Sequence, residues 1–384
     1  PRIGDNRRLF RRARRAPAAE MAESVDAADS KSADGNIVGV RFPLSAPSRP
    51  LARASKVAVH HTFADPWSVR AMRPLPGCRV RRALLVSASG QPSRLGCWWL
   101  AIRPKTLTVS LVPVLVGHAL AWSQQGHLSW WPALVALLAA LLIQIGTNLH
   151  NDVSDFERGS DTPERLGPPR ATAMGWLPGA VVRRAAWIAF ALAFNFGIYL
   201  AWHGGWPIVV IGLASLLAGW AYTGGPRPIA YTPLGELFVL LFFGLVAVGG
   251  SYYLQTLSLR SPALLAGAMV GLFGAAVITV NNTRDLATDA RVGRRTLAVV
   301  LGRRSAAWVY TAEMLLPFVL LPGLAVLAGR GLQLAVPLLL LPLALRHIGR
   351  FRRAADGPVF NALLAATARL QLFFGVLLTL AIVV

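Results

Sequence analysis

Long uninterrupted apolar stretches fill the chain from residue 95 onward, and they constrain its fold more than any other feature. Several of them approach the ~20 residues that an α-helix needs to cross the hydrocarbon core of a bilayer. Hydrophobic residues make up 54% of the 384 residues and charged residues 15%, with a mean hydropathy of +0.50. The sequence therefore predicts an all-α fold, a polytopic membrane bundle of about nine transmembrane helices around a central cavity.

Nine candidate spans lie between short polar loops. The eighth is the shortest and contains Pro337 and Pro342, which interrupt helical hydrogen bonding. Tryptophans stand at several span ends, as they do in interfacial belts. The spans are expected at about residues 106–122, 131–148, 184–202, 206–222, 236–254, 263–281, 306–328, 332–345 and 364–384.

The loop charges predict the orientation of the bundle. Loops after the second, fourth, sixth and eighth spans carry sixteen arginines, whereas the opposite loops carry only Arg260 and Arg330. Positive residues concentrate in cytoplasmic loops, so the even-numbered loops and the N-terminus are expected in the cytosol. For the arginines at 346–353, signalling of topology is a sufficient explanation.

The first 94 residues have a different character. They hold 18 of the 39 lysines and arginines, and prolines and small polar residues interrupt any periodicity. We expect a disordered basic extension at 1–94 and a transmembrane domain at 95–384. Three origins stay open for the extension: an overextended gene model with a start near Met72, a natural tail, or a transit segment. Binding of nucleic acid is not expected, because no nucleic-acid-binding fold accompanies the arginines.

Two acidic stretches, at residues 148–155 and 281–289, each follow an even-numbered span. Carboxylates at the ends of membrane spans are costly and usually functional. On a continuous helix, spacings of i, i+4, i+7 and of i, i+3, i+7 place polar residues on one face. The two predicted faces consist of Asn148, Asp152 and Asp155, and of Asn282, Asp285 and Asp289. Mg²⁺ suits two such faces at one cavity, because it binds a few carboxylates together with water and substrate phosphates.

From about Ile102 to the C-terminus, the chain resembles the UbiA-type intramembrane prenyltransferases, and within them the 1,4-dihydroxy-2-naphthoate polyprenyltransferases. RPKTL at 103–107 matches the opening of that family, and the dipeptides at 222–223 and 235–236 match smaller signatures. NLHNDVSDFERGSDTPERLGPPR at 148–170 matches its first motif, and NNTRDLATDARVGRRTLAVVLG at 281–302 its second. Val153 and Arg294 depart from the usual aromatic residue and lysine without removing a metal ligand.

The resemblance implies a reaction. A polyprenyl diphosphate loses diphosphate, a ring carbon of an electron-rich aromatic acceptor attacks the allylic cation, and in the naphthoate branch CO₂ leaves to give a demethylmenaquinone. The enzyme is expected in the bacterial cytoplasmic (inner) membrane, in contact with lipid, with its active-site loops facing the cytosol. Other acceptors, such as 4-hydroxybenzoate or haem, stay open, and so does an ion-coupled transporter, since intramembrane carboxylates also line cation pathways.

The same resemblance implies roles for individual residues. The expected Mg²⁺ ligands are Asp152, Asp155, Asp285 and Asp289. Lys105 is expected to act on the diphosphate as a catalytic cation. The expected substrate-binding residues are Asn148, Asn151, Arg170, Tyr222, Asn282, Arg284, Arg294 and Arg295, although the asparagines could equally cap helix ends. Arg170 is the first candidate for the carboxylate of the acceptor. The expected shield of the cation consists of Phe242, Phe243, Tyr252 and Tyr253.

Overall fold

The computed structural model describes residues 92–161, 165–355 and 357–384, and all regular secondary structure within these ranges is helical. Eight helical spans in these ranges are long and apolar enough to cross a membrane. A ninth apolar helix, Trp206–Ala221, occupies the fourth predicted span but has only 16 residues. The all-α membrane fold is thus confirmed. The predicted extension lies, except for residues 92–94, outside the described residues.

The first half of the bundle runs from the short helix before the first span to the end of the span Gly235–Thr256. In chain order its elements are α1 (Arg94–Ile102), α2 (Pro104–Gln125), α3 (Trp130–Glu157), α4 (Gly179–Gly204), α5 (Trp206–Ala221), α6 (Gly235–Leu240), a π-helical turn (Leu241–Val246) and α7 (Ala247–Thr256). The segment from α6 to α7 forms one span, Gly235–Thr256. A short 3₁₀ turn, Ile229–Tyr231, precedes it.

The second half begins with the most buried span. Its elements are α8 (Ser261–Arg284), α9 (Leu286–Arg291), α10 (Leu297–Val319), α11 (Leu321–Ala328), a 3₁₀ segment (Leu332–Leu340), α12 (Leu341–Arg353) and α13 (Gly357–Val383). The 3₁₀ segment explains the irregular eighth span, since Pro337 lies within it and Pro342 begins α12.

Helix α8 packs at the centre because glycines allow its backbone to approach the π-helical turn. A Cβ atom on Gly244 would lie 2.4 Å from the carbonyl oxygen of Gly267 and 2.8 Å from the Cα of Gly271. No side chain fits at such distances, so glycine at position 244 is required by packing. On its other side, α8 contributes Phe273, whose ring lies 4.8 Å from that of Phe374 on α13. This close packing fixes the end of α8, where the second acidic stretch begins.

The second acidic stretch is not one continuous helix. Helix α8 ends at Arg284, Asp285 has φ −91° and ψ 6°, and α9 starts at Leu286. The prediction that 282, 285 and 289 share the face of one helix is therefore wrong. The break nevertheless leaves all three polar residues buried, since Asn282, Asp285 and Asp289 are each no more than 9% exposed. In the first stretch the prediction is confirmed, since α3 continues to Glu157.

Deletion of residues 1–71 should leave membrane insertion and activity unchanged. The first described helix begins at Arg94, and Arg103 and Lys105 remain to hold the start of α2 at the membrane interface. The measurement is prenyl transfer per amount of membrane-inserted protein, for the truncated and the full chain. A loss of insertion or of activity would show that the extension has a function.

Candidate active site

Asp155, near the end of α3, is the centre of a buried charge cluster. Its carboxylate accepts hydrogen bonds of 2.5 Å from both Arg170 and Arg294, and one of 3.3 Å from the hydroxyl of Tyr231. The carboxylate is only 2% exposed. Two guanidinium groups therefore share this one buried carboxylate.

Asp152 has a different environment. Its two carboxylate oxygens accept hydrogen bonds from the backbone amides of Ala171 (3.1 Å) and Thr172 (2.9 Å). These contacts fasten the loop after α3 to the helix and bring Arg170 beside Asp155. Asp152 therefore supports the site through the loop in this structure.

Arg294 connects the two acidic stretches. It pairs with Asp155, lies 3.6 Å from a carboxylate oxygen of Asp289, and stacks over the ring of Tyr231 at 4.3 Å. Burial raises the pKa of Asp289 to about 6. Burial alone would lower the pKa of Arg294, but Asp155 and Tyr231 raise it above its usual range. The stretches thus meet at one end of the bundle, and one protein cation lies between their carboxylates.

Arg284 forms an ion pair with Asp285, the last of the four predicted metal ligands. It donates hydrogen bonds to both carboxylate oxygens of Asp285, at 2.8 and 2.6 Å, and others to Asn281 and to Asn361 on α13. Asn361 in turn donates to the carbonyl oxygen of Leu166 in the loop after α3. The start of α13 therefore lies at the same end as both acidic stretches.

The three predicted asparagines fix helices to one another. Asn148 donates to the carbonyl oxygen of Ile102 (2.8 Å) and to Thr106 (3.1 Å), which ties α3 to the junction of α1 and α2. Asn151 accepts hydrogen bonds from Thr223 through its side chain and from Arg170 through its backbone carbonyl.

Asn282 donates to Glu236 at 2.9 Å. Glu236 begins the span Gly235–Thr256, so this contact joins the end of α8 to α6. Together with the contacts of Asn148, it shows that amide side chains join five helices, α1, α2, α3, α6 and α8, around the charge cluster. Each of these asparagines nevertheless presents part of its surface to the adjoining cavity.

A cavity of about 970 Å³ extends from the charge cluster into the bundle. Most of its wall is apolar and comes from α3, α4, α5, α8 and the π-helical turn. Of the predicted site residues, those that line it are Lys105, Asn148, Asn151, Asp155, Arg170, Tyr222, Asn282, Arg284 and Arg294. Asp152, Asp285, Asp289 and Arg295 do not line it. The cavity therefore joins a polar end to a long apolar chamber, which fits an amphipathic substrate.

Of the four aromatic residues expected to shield the cation, two have cavity-lining positions and two do not. Phe242 and Phe243 line the cavity, and Phe242 stacks on Phe238 with ring centroids 5.5 Å apart. Tyr252 is fully buried, and its hydroxyl donates to Gln124, while Tyr253 packs beside α3 and α4. The prediction for these two tyrosines is not supported, because the span turns their faces toward other helices.

Residues 110–381 match the UbiA prenyltransferase family. The chain belongs to this family. It is 32% identical over 286 residues to 1,4-dihydroxy-2-naphthoate octaprenyltransferase of Bacillus subtilis (strain 168), covering 74% of this chain and 92% of the relative. The enzyme of the same name from Escherichia coli (strain K12) is 35% identical over 298 residues, with 76% and 96% covered.

The fold is also similar to a solved UbiA homolog from Archaeoglobus fulgidus bound to DMAPP and Mg²⁺. The TM-score is 0.55 at 14% identity, with 74% of this chain and 98% of that chain covered. Membership of the UbiA family explains the intramembrane carboxylates without transport of an ion, so the transporter alternative is set aside.

The residues of this UbiA family member fit Mg²⁺ by their chemistry. Asp155 and Asp289, one from each acidic stretch, approach the guanidinium of Arg294 from two sides, so their oxygens already converge on a positive charge. Carboxylate oxygens are the ligands that Mg²⁺ prefers. Among the described residues, however, no three acidic, histidine or cysteine side chains are grouped closely enough to form a metal site. Asp155 and Asp289, which would hold the metal, are thus paired with Arg294 in this structure.

Three residues beside the site were missed by the sequence reasoning as contributors to it. Tyr231 bonds to Ser160 as well as to Asp155 and Arg294. Asp161, which fits a solvated turn equally well by sequence, pairs with Arg170 and Arg165, and its side chain is 2% exposed. Only the polar composition of their loops could have drawn attention to them.

The third missed residue is Arg103, between α1 and α2. It lines the cavity, and its backbone has φ 57° and ψ 66°, a left-handed conformation that is unusual for arginine. Burial, together with the charges of Arg170 and Arg165, lowers the pKa of Arg103. Arg103 is partly buried, and a cation whose charge is disfavoured by its surroundings is stabilised by an incoming anion. The sequence signal at this position is Pro104, because a residue that precedes a proline usually ends a helix.

Proposed function

We propose that the chain transfers a polyprenyl group from a polyprenyl diphosphate to 1,4-dihydroxy-2-naphthoate, with release of diphosphate and CO₂. The observation that carries the proposal is the arrangement of the cavity, whose charged end continues into an apolar chamber. Relatives that carry the name 1,4-dihydroxy-2-naphthoate octaprenyltransferase support the choice of acceptor and a long prenyl donor. The product is a demethylmenaquinone in its reduced form.

The charged end binds the diphosphate. Arg103, Lys105 and Arg284 line the cavity there, and arginine can donate two parallel hydrogen bonds to a phosphate. Mg²⁺ held by Asp155 and Asp289, with Asp152 and Asp285 nearby in sequence, supplies Lewis-acid stabilisation of the leaving diphosphate when it is bound. The aspartates orient the cationic side chains around the same anion. These contacts favour the charge that develops on the leaving group, so they lower the barrier to its departure.

The apolar chamber holds the prenyl tail and protects the allylic cation. Phe238 and Phe242 form a stacked pair on the cavity wall, and aromatic faces attract a nearby cation by ~0.5–2 kcal/mol. The chamber also excludes water, which would otherwise capture the cation and give a prenyl alcohol.

The reaction balances without an oxidant. The bond between the allylic carbon and the diphosphate oxygen breaks, and its electron pair leaves with diphosphate. The naphthoate carbon that bears the carboxylate then forms a bond to the allylic carbon. Cleavage of the bond to the carboxylate returns an electron pair to the ring and releases CO₂. The ring regains its aromatic character, which makes the last step favourable.

We place the chain in the bacterial inner membrane with this site at the cytosolic face. The loop arginines support that orientation. Both soluble parts of the substrates, the diphosphate and the hydroxylated naphthoate ring, would then reach the site from the cytosol, while the prenyl tail would enter from the bilayer.

A comparison of acceptors tests the proposed function. Membranes that contain the chain are supplied with geranylgeranyl diphosphate and either 1,4-dihydroxy-2-naphthoate or 4-hydroxybenzoate, and prenylated products are measured by mass spectrometry. We expect product with the naphthoate only. Prenylation of 4-hydroxybenzoate alone would contradict the acceptor and leave the prenyl-transfer chemistry standing.

Removal of divalent metal should abolish the activity. Excess EDTA is expected to lower prenyl transfer to background, because the leaving diphosphate would lose the Lewis-acid stabilisation that Mg²⁺ supplies. Addition of Mg²⁺ above the chelator should restore it. The rate is measured in the same membranes before and after chelation. Full activity in excess EDTA would contradict the metal requirement.

A further inference from the structure

Three arginines on α12 and α13 form a group outside the cavity. Arg346 and Arg350 lie one turn apart on α12, Arg369 lies on α13, and all three are exposed. The two helices pack against each other. His347, which lies between Arg346 and Arg350 in the sequence, is buried, whereas the arginines on either side of it are exposed. We call this group the arginine cluster, and none of its members lines the cavity.

Arg369 lies on the lipid-facing side of a membrane span. On α13 the exposed residues Phe373, Val376 and Leu380 follow it at i+4, i+7 and i+11, which is one helical stripe. Arg369 is the thirteenth residue of the helix, so its Cα lies roughly 18 Å from the start along the axis. Its Nε donates to the carbonyl oxygen of Ala365, so the side chain points back toward that start.

No carboxylate compensates the arginine cluster within the described residues. Helices α12 and α13 contain no acidic residue, and the hydrogen bond of Arg369 to Ala365 is the only one found for the three guanidinium groups in those ranges. Neighbouring arginines differ: Arg352 donates to Thr311 and stacks on Trp308. Signalling of topology explains arginines in loops, but it does not explain an arginine in the middle of a span.

We propose that the arginine cluster binds the phosphate of an anionic glycerophospholipid. Phosphate oxygens can accept paired hydrogen bonds from arginine, and an anion relieves the cost of exposed charge at membrane depth. The acyl chains would lie along the apolar stripe that includes Phe373 and Val376. This stripe favours a lipid over a soluble phosphate, because a soluble anion would gain nothing from it.

The lipid would come from the leaflet at the active-site end. Asn361, near the start of α13, bonds to Leu166 and Arg284 beside the charge cluster. Arg369 of the cluster lies on the same half of α13 as Asn361. A bound lipid would therefore hold α13 beside the helices that carry the active site.

Lipid binding by the purified full chain tests this inference. Native mass spectrometry is used to titrate phosphatidylglycerol and phosphatidylcholine onto the wild type, the double variant Arg346→Gln/Arg350→Gln and the variant Arg369→Gln. We expect phosphatidylglycerol to bind roughly fivefold more weakly for each arginine removed. Binding of phosphatidylcholine should not change. Arg184→Gln is the matched control, since Arg184 is exposed on α4, which packs against α3, α5 and α7.

Two results would overturn the inference. One is equal binding of phosphatidylglycerol to the wild type and to both cluster variants, which would leave topology as the only role of these arginines. The other is displacement of the bound lipid by millimolar inorganic phosphate, which would indicate a site for a soluble anion. If Arg369→Gln does not fold, the inference is still tested by the double variant Arg346→Gln/Arg350→Gln and by phosphate competition on the wild type.

Discussion

Asp155→Asn should lower kcat/KM for prenyl transfer by on the order of 10³ or more. The substitution keeps the shape of the side chain but removes the charge that Arg170 and Arg294 share at 2.5 Å each. Without it, both guanidinium groups lose their orientation, and one of the two carboxylates nearest to Arg294 is lost as a metal ligand. The rate is measured with both substrates at saturation and below it, per amount of folded protein.

The fold will also be weakened, because removal of one partner from a buried ion pair costs about 3–5 kcal/mol. A fall in melting temperature in detergent is therefore expected beside the loss of rate. Glu157→Gln is the matched control: Glu157 is also near the end of α3, but it pairs with Arg183 on the surface and is half exposed. Near-normal turnover in folded Asp155→Asn, or an equal loss in Glu157→Gln, would contradict the role of Asp155.

Arg170→Lys should lower the rate by about 10² although the charge is retained. Arg170 reaches Asp155 at 2.5 Å, Asp161 at 3.0 Å and the backbone carbonyl of Asn151 at 2.5 Å. The planar guanidinium group of arginine reaches these three groups in different directions, whereas the compact ammonium group of lysine cannot contact all of them. The sequence predicted that Arg170 binds the carboxylate of the acceptor, and that role stays a prediction. Its present contacts add a second role, which is to orient the carboxylate of Asp155.

The kinetic constants separate the two roles of Arg170. A rise in KM for the naphthoate that exceeds the rise for the prenyl diphosphate would place Arg170 on the acceptor. A fall in kcat with both KM values unchanged would mean that it acts through Asp155. Arg183→Lys is the control, because Arg183 is a half-exposed surface partner of Glu157. Wild-type constants for Arg170→Lys would contradict both roles.

The spans and the first acidic face could be predicted from the sequence because both depend on local patterns of residues. Apolar runs predicted the spans, since the bilayer allows few alternatives to a helix. The spacing of Asn148, Asp152 and Asp155 predicted one helical face because α3 is regular there. Where regularity ends the prediction failed, as at Asp285, whose break depends on how the end of α8 packs and on the ion pair with Arg284.

Partners distant in sequence were out of reach. Tyr231 and Arg294 are 63 residues apart, and their stacking depends on how the loops after α5 and α9 fold over α3. Arg103 has its left-handed backbone at the junction of α1 and α2, and Asn148 on α3 donates a hydrogen bond to that junction. The direction in which the Tyr252 side chain points depends on the π-helical turn earlier in the same span. No periodicity in the sequence marks that turn.

Release of CO₂ tests the central claim most directly. The purified chain is incubated with Mg²⁺, a polyprenyl diphosphate and 1,4-dihydroxy-2-naphthoate labelled in its carboxyl carbon, and labelled CO₂ and prenylated product are counted together. We expect one CO₂ for each prenyl group transferred, no CO₂ when the prenyl diphosphate is omitted, and CO₂ release near background when Asp155→Asn replaces the wild type. Prenylated naphthoate that keeps its labelled carboxyl group, or no naphthoate product at all, would contradict the central claim.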